Sequence, residues 1–211
     1  MAKSYLIDTT QCVGCRSCQV SCKQWNDLPA EQTKLQTNNL GLQNPVTLSA
    51  KTLTVVTYKE VADTKAPGGL KYVFAKRQCM HCEDPACASA CPSTAMRKSK
   101  EGPVTYDSSK CIGCRYCMLA CPFGVPTAQW DTLAPKIRKC TMCSDRVAVG
   151  ASPACAKACP AGAITWGERE QLLALAQKRI TDNPKKYVPH IYGEHEAGGT
   201  GFLACRLSCS A

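Results

Sequence analysis

The sequence has few of the aromatic residues that usually fill a protein core. Its 211 residues include three Phe and three Trp, too few to build a large conventional core. No run of 18 apolar residues occurs, so we expect no transmembrane helix. The first eight residues, MAKSYLID, lack the apolar stretch of a secretory signal. These absences favour a soluble or peripheral protein whose fold depends on something other than aromatic packing.

Cysteine is abundant instead, with 18 residues. In a short secreted chain such a content usually indicates disulfides. Here, however, groups of four cysteines fall within eleven residues, which is too close for a set of unstrained mutual bridges. Together with the absence of a secretory leader, this spacing indicates that the thiols are metal ligands.

The formal net charge is +10, which would ordinarily suggest a nucleic acid or an anionic membrane as partner. Bound clusters would change that balance. An oxidised [4Fe–4S] cube with four thiolates carries about −2, so four cubes would leave about +2, and one-electron reduction of all four about −2. The basic residues are therefore interpreted as balancing cluster charge, and no nucleic acid partner is expected.

The most specific motif is CIGCRYCMLACP, from Cys111 to Pro122. Its spacing, C-x2-C-x2-C-x3-C-P, is that of a bacterial ferredoxin, in which three thiolates hold one cube and the fourth binds the other cluster. A zinc site would instead need two separated C-x2-C pairs around one ion. The motif therefore favours [4Fe–4S] clusters that occur in pairs.

Three further motifs resemble this one. The first, CVGCRSCQVSC, has the same spacing, with Lys23 in place of the proline. The second, CMHCEDPACASACP, has two extra residues after its second cysteine, and the fourth has an insertion there that brings the gap to eleven residues. We expect that insertion to be a loop or a short helix. His81 lies within the second motif, where four cysteines already fill the ligand positions, so it should hydrogen-bond or face solvent.

Periodicity and β-branched content predict a few elements between the motifs. The expected strands are 4–8, 52–61, 70–77, 102–107 and 163–167, the expected helices are 18–25 and 168–180, and 27–50 should be ordered but irregular. The C-terminal tail is weakly patterned. Its Cys205 and Cys209 cannot hold a cube alone and are interpreted as free thiols or an adventitious pair. His190 and His195 have no accompanying metal ligands.

Four ferredoxin motifs in this order, three of them ending in CP, resemble the iron–sulfur electron-transfer subunits of molybdenum or tungsten pterin enzymes. The segments CQVSCKQWND, NPVTLSAKTLTVV, CMHCEDPAC, CPFGVP and KCTMCSDRVAVGASPAC are most similar to the beta subunit of formate dehydrogenase. The resemblance covers about residues 3 to 200. In the membrane-bound formate dehydrogenase that subunit continues into a C-terminal transmembrane helix, for which this sequence offers no candidate.

The resemblance implies an α+β fold of two interleaved ferredoxin-like dicluster modules, with motif one paired to motif four and motif two to motif three. The expected domains are 1–52 with 126–182, then 53–125, and a tail at 183–211. Four ligand sets follow. The first set is Cys12, Cys15, Cys18 and Cys159; the second is Cys79, Cys82, Cys87 and Cys121; the third is Cys111, Cys114, Cys117 and Cys91; the fourth is Cys140, Cys143, Cys155 and Cys22.

The function implied is electron transfer by four [4Fe–4S] clusters, without catalysis, because the sequence shows no nucleophile, acid–base pair or pterin-binding motif. The expected partners are a large molybdenum or tungsten pterin catalytic subunit, most simply one acting on formate and CO2, and a cytochrome or membrane subunit as acceptor. The alternatives are the same role beside a hydrogenase or a sulfur-compound reductase, and a zinc-binding structural module. Export into the periplasm with a signal-bearing partner is favoured, with the cytoplasm as alternative.

Overall fold

The structure, a computed structural model, describes residues 2–33, 43–63 and 66–208. Helices and strands alternate with the cysteine loops. The strands are β1 (Lys3–Asp8), β2 (Val55–Ala62), β3 (Leu70–Arg77), β4 (Met96–Lys98), β5 (Val104–Tyr106), β6 (Thr127–Ala128), β7 (Ile137–Arg138), β8 (Ile164–Glu168), β9 (Tyr187–Tyr192) and β10 (Phe202–Leu207). The α-helices are α1 (Ser17–Trp25), α2 (Ala86–Ser89), α3 (Tyr116–Ala120), α4 (Ser144–Ala148), α5 (Ala154–Lys157) and α6 (Arg169–Asp182).

The largest sheet has the strand order β8-β1-β10-β9. β1 is antiparallel to β8, with Lys3 opposite Glu168, and parallel to β10, with Tyr5 opposite Phe202. Strands β1 and β8 therefore join the segment before motif one to the segment after motif four. The parallel pairing brings strands from the two ends of the described chain side by side.

This sheet is covered on both faces, and alternate residues of each strand point to opposite faces. Leu6 and Leu203 pack with Leu172 and Ile180 of α6. On the other face Tyr5, Ile7, Phe202 and Ala204 pack with Cys18 and Cys155 of the cysteine loops. One face thus rests on a helix and the other on the candidate metal sites.

Three two-stranded hairpins complete the strands: β2-β3, β4-β5 and β6-β7. The predicted strands at 4–8, 52–61, 70–77, 102–107 and 163–167 are confirmed, with β2 beginning three residues later than expected. β4, β6 and β7 were not predicted, because a strand of two or three residues is too short to show periodicity. In the described parts of 27–50 no helix or strand occurs, as expected; residues 34–42 lie outside the described residues.

The C-terminal segment differs from the sequence-based expectation. The weak pattern at 183–211 predicted no element, whereas the structure forms β9 and β10 there. Four of the six residues of β10, Phe202 to Cys205, are buried, because it lies between two other strands and is covered on both faces. A strand of this kind does not alternate between apolar and polar residues, so β10 has no periodic pattern that would predict it.

Both predicted helices are confirmed as α1 and α6. The insertion of motif four contains the short helix α4, as expected. α1 packs against α5, and α2 packs against α3. Across the described ranges, no helix combines the length and the apolar character needed to cross a membrane.

Candidate iron–sulfur cluster sites

The loops of motifs one and three have the same backbone conformation. Gly14 and Gly113 have φ of +69° and +75°, and the arginines before α1 and α3, Arg16 and Arg115, have φ of +62° and +63°. Left-handed residues are uncommon outside glycine. In short loops they turn successive N–H groups toward one concave side, which suits an anion. The repeated conformation therefore explains why both motifs read C-x-G-C-R.

The loops of motifs two and four also contain left-handed residues, which lie between the first and second cysteines or at the second cysteine itself. His81 has φ of +48°, and Met142 and Cys143 have φ of +59° and +48°. The Met142 N–H donates to Cys140 Sγ at 3.4 Å. These loops therefore curve around their thiols as well.

The first ligand set lines one cavity. Its four thiols, Cys12, Cys15, Cys18 and Cys159, surround this cavity together with apolar side chains that include Ile7, Val56 and Ile164. Burial raises the pKa of Cys18 to about 11, and the neighbouring thiolates Cys155, Cys12 and Cys15 contribute. The structure thus brings Cys159, from motif four, to the three cysteines of the motif one loop.

The fourth set is gathered in the same way. Burial raises the pKa of Cys22 to about 12, with further contributions from Cys155 and Cys143. Burial also raises the pKa of Cys140 strongly, and Cys22 and Cys155 add to that effect. Cys22 of α1 therefore lies among the first three cysteines of motif four.

Motifs two and three show the same exchange of cysteines. Burial raises the pKa of Cys87 to about 12, and Cys79, Cys121 and Cys82 raise it further. The pKa of Cys82 is raised to about 11 by burial and then by Cys79 and Cys121. Cys121 of motif three is thus close to the cysteines of motif two.

A cysteine of motif two likewise lies close to the cysteines of motif three. Burial raises the pKa of Cys117 to about 11, and Cys91, Cys111 and Cys114 contribute in turn. Cys91, the fourth cysteine of motif two, therefore lies beside the thiols of motif three.

Hydrogen bonds to sulfur accompany these thiols. Ser17 lowers the pKa of Cys15 through its hydroxyl, with Sγ to Oγ at 3.5 Å, and through its N–H. Burial alone would raise the pKa of Cys91, but the N–H of Met96 and the hydroxyl of Ser93 lower it. Asn26 Nδ2 lies 3.7 Å from Cys22 Sγ. Such donors stabilise thiolates bound to a cluster and tune its potential.

The residues present fit [4Fe–4S] clusters. Each of the four sets offers four thiols, and buried thiolates are costly unless a metal or another charge compensates them. In the described part of the chain no group of three or more His, Cys, Asp or Glu could hold a metal ion. A cube does not require that convergence, since each thiolate binds a different iron.

Other sequence-based expectations concern His81, Cys205 and the C-terminal histidines. His81 is fully buried and its Nδ1 accepts from the Val104 N–H at 3.0 Å, which confirms hydrogen bonding rather than exposure. Cys205 is buried against Ala176 on the α6 face of the sheet, away from the other described cysteines. Cys209 lies outside the described residues. His190 pairs with Glu196 at 2.7 Å, and His195 is exposed.

Buried lysines beside the thiols were not predicted. Lys76 and Lys139 are 7% and 4% exposed, and Lys98 donates to the carbonyl oxygens of His81 and Cys82 at 3.1 and 2.8 Å. One sequence signal could have identified Lys76. It lies two residues after Phe74 in β3 and therefore on the same face of that strand, and β3 leads directly into a cysteine loop.

Short strands and helices that position four thiol sets define a ferredoxin-like iron–sulfur protein. The sequence agrees: residues 70–169 and residues 11–95 each match a family described as a 4Fe-4S dicluster domain.

Relatives cover nearly the whole chain. The nitrate-inducible formate dehydrogenase iron-sulfur subunit of Escherichia coli K12 is 41% identical over 92% of this chain and 65% of its own length. The formate dehydrogenase-O iron-sulfur subunit of the same organism is 42% identical over 84% of this chain and 57% of its own. The hydrogenase-2 operon protein HybA of Escherichia coli O157:H7 is 36% identical over 94% of this chain and 68% of its own.

The chain belongs to the family of 4Fe–4S dicluster proteins that includes these formate dehydrogenase iron-sulfur subunits and HybA. It spans about half to two-thirds of the length of the curated relatives that it matches.

Proposed function

We propose that this chain is a non-catalytic electron-transfer subunit that holds four [4Fe–4S] clusters. The observation that carries the proposal is the grouping of sixteen thiols into four sets, each completed by a cysteine from another motif. A [4Fe–4S] cluster supplies one-electron oxidation and reduction when bound. The protein's residues provide the thiolates, the hydrogen bonds to sulfur and the apolar surroundings that exclude water.

The ligand assignment follows the neighbours of each thiol. We assign Cys159 to the first set, Cys121 to the second, Cys91 to the third and Cys22 to the fourth. The nearby charges that raise the pKa values of Cys12, Cys82, Cys117 and Cys140 support these assignments in that order.

We also propose that the two dicluster modules interleave in sequence. The pairing of β1 with β8 and the packing of α1 on α5 support a module made of motifs one and four. The β4-β5 hairpin and the packing of α2 on α3 support a second module made of motifs two and three. The bounds proposed remain 1–52 with 126–182 for one and 53–125 for the other, and the tail at 183–211 contributes β9 and β10 to the sheet of the first.

The catalytic partner proposed is a large molybdenum or tungsten pterin subunit that oxidises formate or reduces CO2, because the formate dehydrogenase relatives are 41 and 42% identical. A cytochrome or membrane subunit would take the electrons. HybA, at 36% identity, supports a hydrogenase partner as a second candidate. For location we propose the periplasm, reached together with a signal-bearing partner, with the cytoplasm as the alternative.

Iron analysis tests the cluster count. The full chain, purified without oxygen, should contain close to sixteen iron and sixteen sulfide per chain, because four cubes are expected. Cys205→Ala should keep that content, since Cys205 lies on the α6 face of the sheet, and should lower the free energy of unfolding by about 1 kcal/mol. A content near eight iron would contradict the assignment of four clusters.

Co-purification tests the partner. When a tagged form of the chain is expressed in the source organism and purified, a large pterin-containing protein should co-purify with it. Dye-linked formate oxidation should require that protein. The isolated chain should show no formate oxidation. Retention of a nickel hydrogenase subunit would instead support the second candidate, and turnover by the isolated chain would contradict the proposed non-catalytic role.

A further inference from the structure

Lys76 is a buried lysine on β3, three residues before Cys79, the first cysteine of motif two. Its residue is 7% exposed, and it stands opposite Val56 of β2 with its side chain turned inward. The ammonium donates to Thr54 Oγ1 at 2.6 Å and to Gln78 Oε1, and lies 6.0 Å from the centre of the Tyr5 ring. Both hydrogen-bond acceptors are neutral.

This ammonium has no carboxylate partner among residues 2–33, 43–63 and 66–208. Removing an ammonium from water costs several kcal/mol unless an opposite charge compensates it. Two neutral acceptors and one aromatic ring offset only part of that cost. A negative charge near the ammonium is therefore needed to offset the remaining cost of its burial.

The groups that can supply this charge are thiolates. Lys76 lines the cavity formed by the first ligand set. Burial by itself lowers the pKa of Lys76, but the thiolates of Cys155, Cys18, Cys140 and Cys22 raise it above its usual value. Cys18 belongs to the first set and the other three to the fourth. The Tyr5 ring, 6.0 Å from the ammonium, has its hydroxyl 3.9 Å from Cys155 Sγ, so Lys76 lies near two of the four proposed clusters.

We propose that Lys76 is the charge-compensating residue for the clusters of the first and fourth sets, and that its fixed positive charge raises both of their reduction potentials. Reduction adds one negative charge to a site that already carries net negative charge. A buried cation stabilises the reduced form more than the oxidised form, and low local polarity strengthens that effect. The positive charge of Lys76 thus favours the reduced state of the clusters of the first and fourth sets.

This inference rests on the proposed function, and iron content and redox titration test the two separately. The full chain with its clusters is titrated potentiometrically, and the reduced clusters are followed by EPR. Wild-type protein with sixteen iron and four titrating centres supports the cluster assignment whatever Lys76 does. Four variants are then compared: Lys76→Met, Lys76→Gln, Lys76→Arg and Lys59→Met. Lys59 is an exposed lysine on the same hairpin.

In Lys76→Met and Lys76→Gln we expect the reduction equilibrium constant of two of the four centres to fall at least tenfold, which is 59 mV for a one-electron couple. The other two centres should be unchanged. Lys76→Arg should keep all four potentials near those of wild type, because it keeps the charge, and Lys59→Met should also leave them unchanged.

Loss of iron is informative too. If both neutral variants lose about eight iron while Lys76→Arg keeps sixteen, compensation by charge is supported, because Arg is the one substitution that keeps the positive charge although it changes the shape of the side chain. Neutral variants that load four clusters with unshifted potentials would overturn the proposal. So would a Lys76→Arg variant as impaired as Lys76→Met, because the side chain would then matter through its shape.

Discussion

Single residues with left-handed backbone shape the cysteine loops. Gly14 and Gly113 occupy equivalent places in motifs one and three, with φ of +69° and +75°. Their surroundings differ. A Cβ on Gly14 would lie 2.5 Å from the Phe74 ring, whereas a Cβ on Gly113 would have no neighbour within 4 Å. The pair therefore separates the cost of backbone strain from the cost of a clash.

We predict that Gly113→Ala lowers the free energy of unfolding by about 1 kcal/mol, the cost of a left-handed non-glycine residue. Gly14→Ala should lower it by a further ~1–3 kcal/mol, because the methyl group overpacks the site beside Phe74. Denaturant unfolding of the cluster-loaded protein measures both. In a Phe74→Ala background, Gly14→Ala should lower the free energy of unfolding by little more than Gly113→Ala does, because the ring that the methyl group would meet is absent. Equal effects of the two glycine variants in the wild-type background would contradict the prediction.

The grouping of three thiols on each of the loops of motifs one and three was predictable from spacing, because these thiols are close in sequence and therefore in space. The role of His81 as a hydrogen-bonded residue followed from counting the ligands already present. The burial of Lys139 and the position of the half-buried Lys98 were not predictable in this way. Their positions depend on carbonyl oxygens of loops distant in sequence, such as Val104 for Lys139 and His81 for Lys98.

At the scale of elements, β1 and β10 form the centre of the main sheet and α6 covers one of its faces. Leu203 of β10 is fully buried and packs with Leu6, Leu172 and Ile180. Cys205, two residues further along the strand, points to the same face. This geometry separates Cys205 from Cys12, Cys18, Cys155 and Cys159, which pack on the opposite face of the sheet.

Leu203→Ala should lower the free energy of unfolding by about 3 kcal/mol, because it opens a cavity between the sheet and α6. Leu133→Ala is the matched control: Leu133 is fully exposed and the same truncation there should change stability by less than about 0.5 kcal/mol. Iron content should be retained in both, since neither residue belongs to a hydrophobic core cluster that contains candidate ligand thiols. A Leu203→Ala variant as stable as the control would show that β10 does not contribute to the folded core.

At the scale of the whole molecule, the proposed ligand exchange makes each module depend on its clusters. Cys12 and Cys159 are 147 positions apart in the chain and line one cavity with Cys15 and Cys18. A cluster bound there would close a very long loop, and metal binding would then contribute directly to folding.

We predict that removal of iron with a chelator under anaerobic conditions abolishes cooperative unfolding. The net stability of a folded domain is about 5–15 kcal/mol, so the loss of four cross-links should leave the chain largely unfolded. Circular dichroism during denaturant titration compares the loaded and iron-free forms, and reconstitution with iron and sulfide should restore the transition. An iron-free chain that unfolds at the same denaturant concentration would contradict a structural role for the clusters.

The sequence alone determined the four cysteine loops and the longer elements α1, β3 and α6, because thiol spacing and periodicity are local properties. It also predicted the resemblance to formate dehydrogenase iron-sulfur subunits, which relatives confirm. The resemblance also implied which distant thiols form each set, whereas only the tertiary structure placed β10 between β1 and β9 and buried Lys76 among cysteines from two motifs. These features depend on contacts between segments far apart in the chain, which no local pattern encodes.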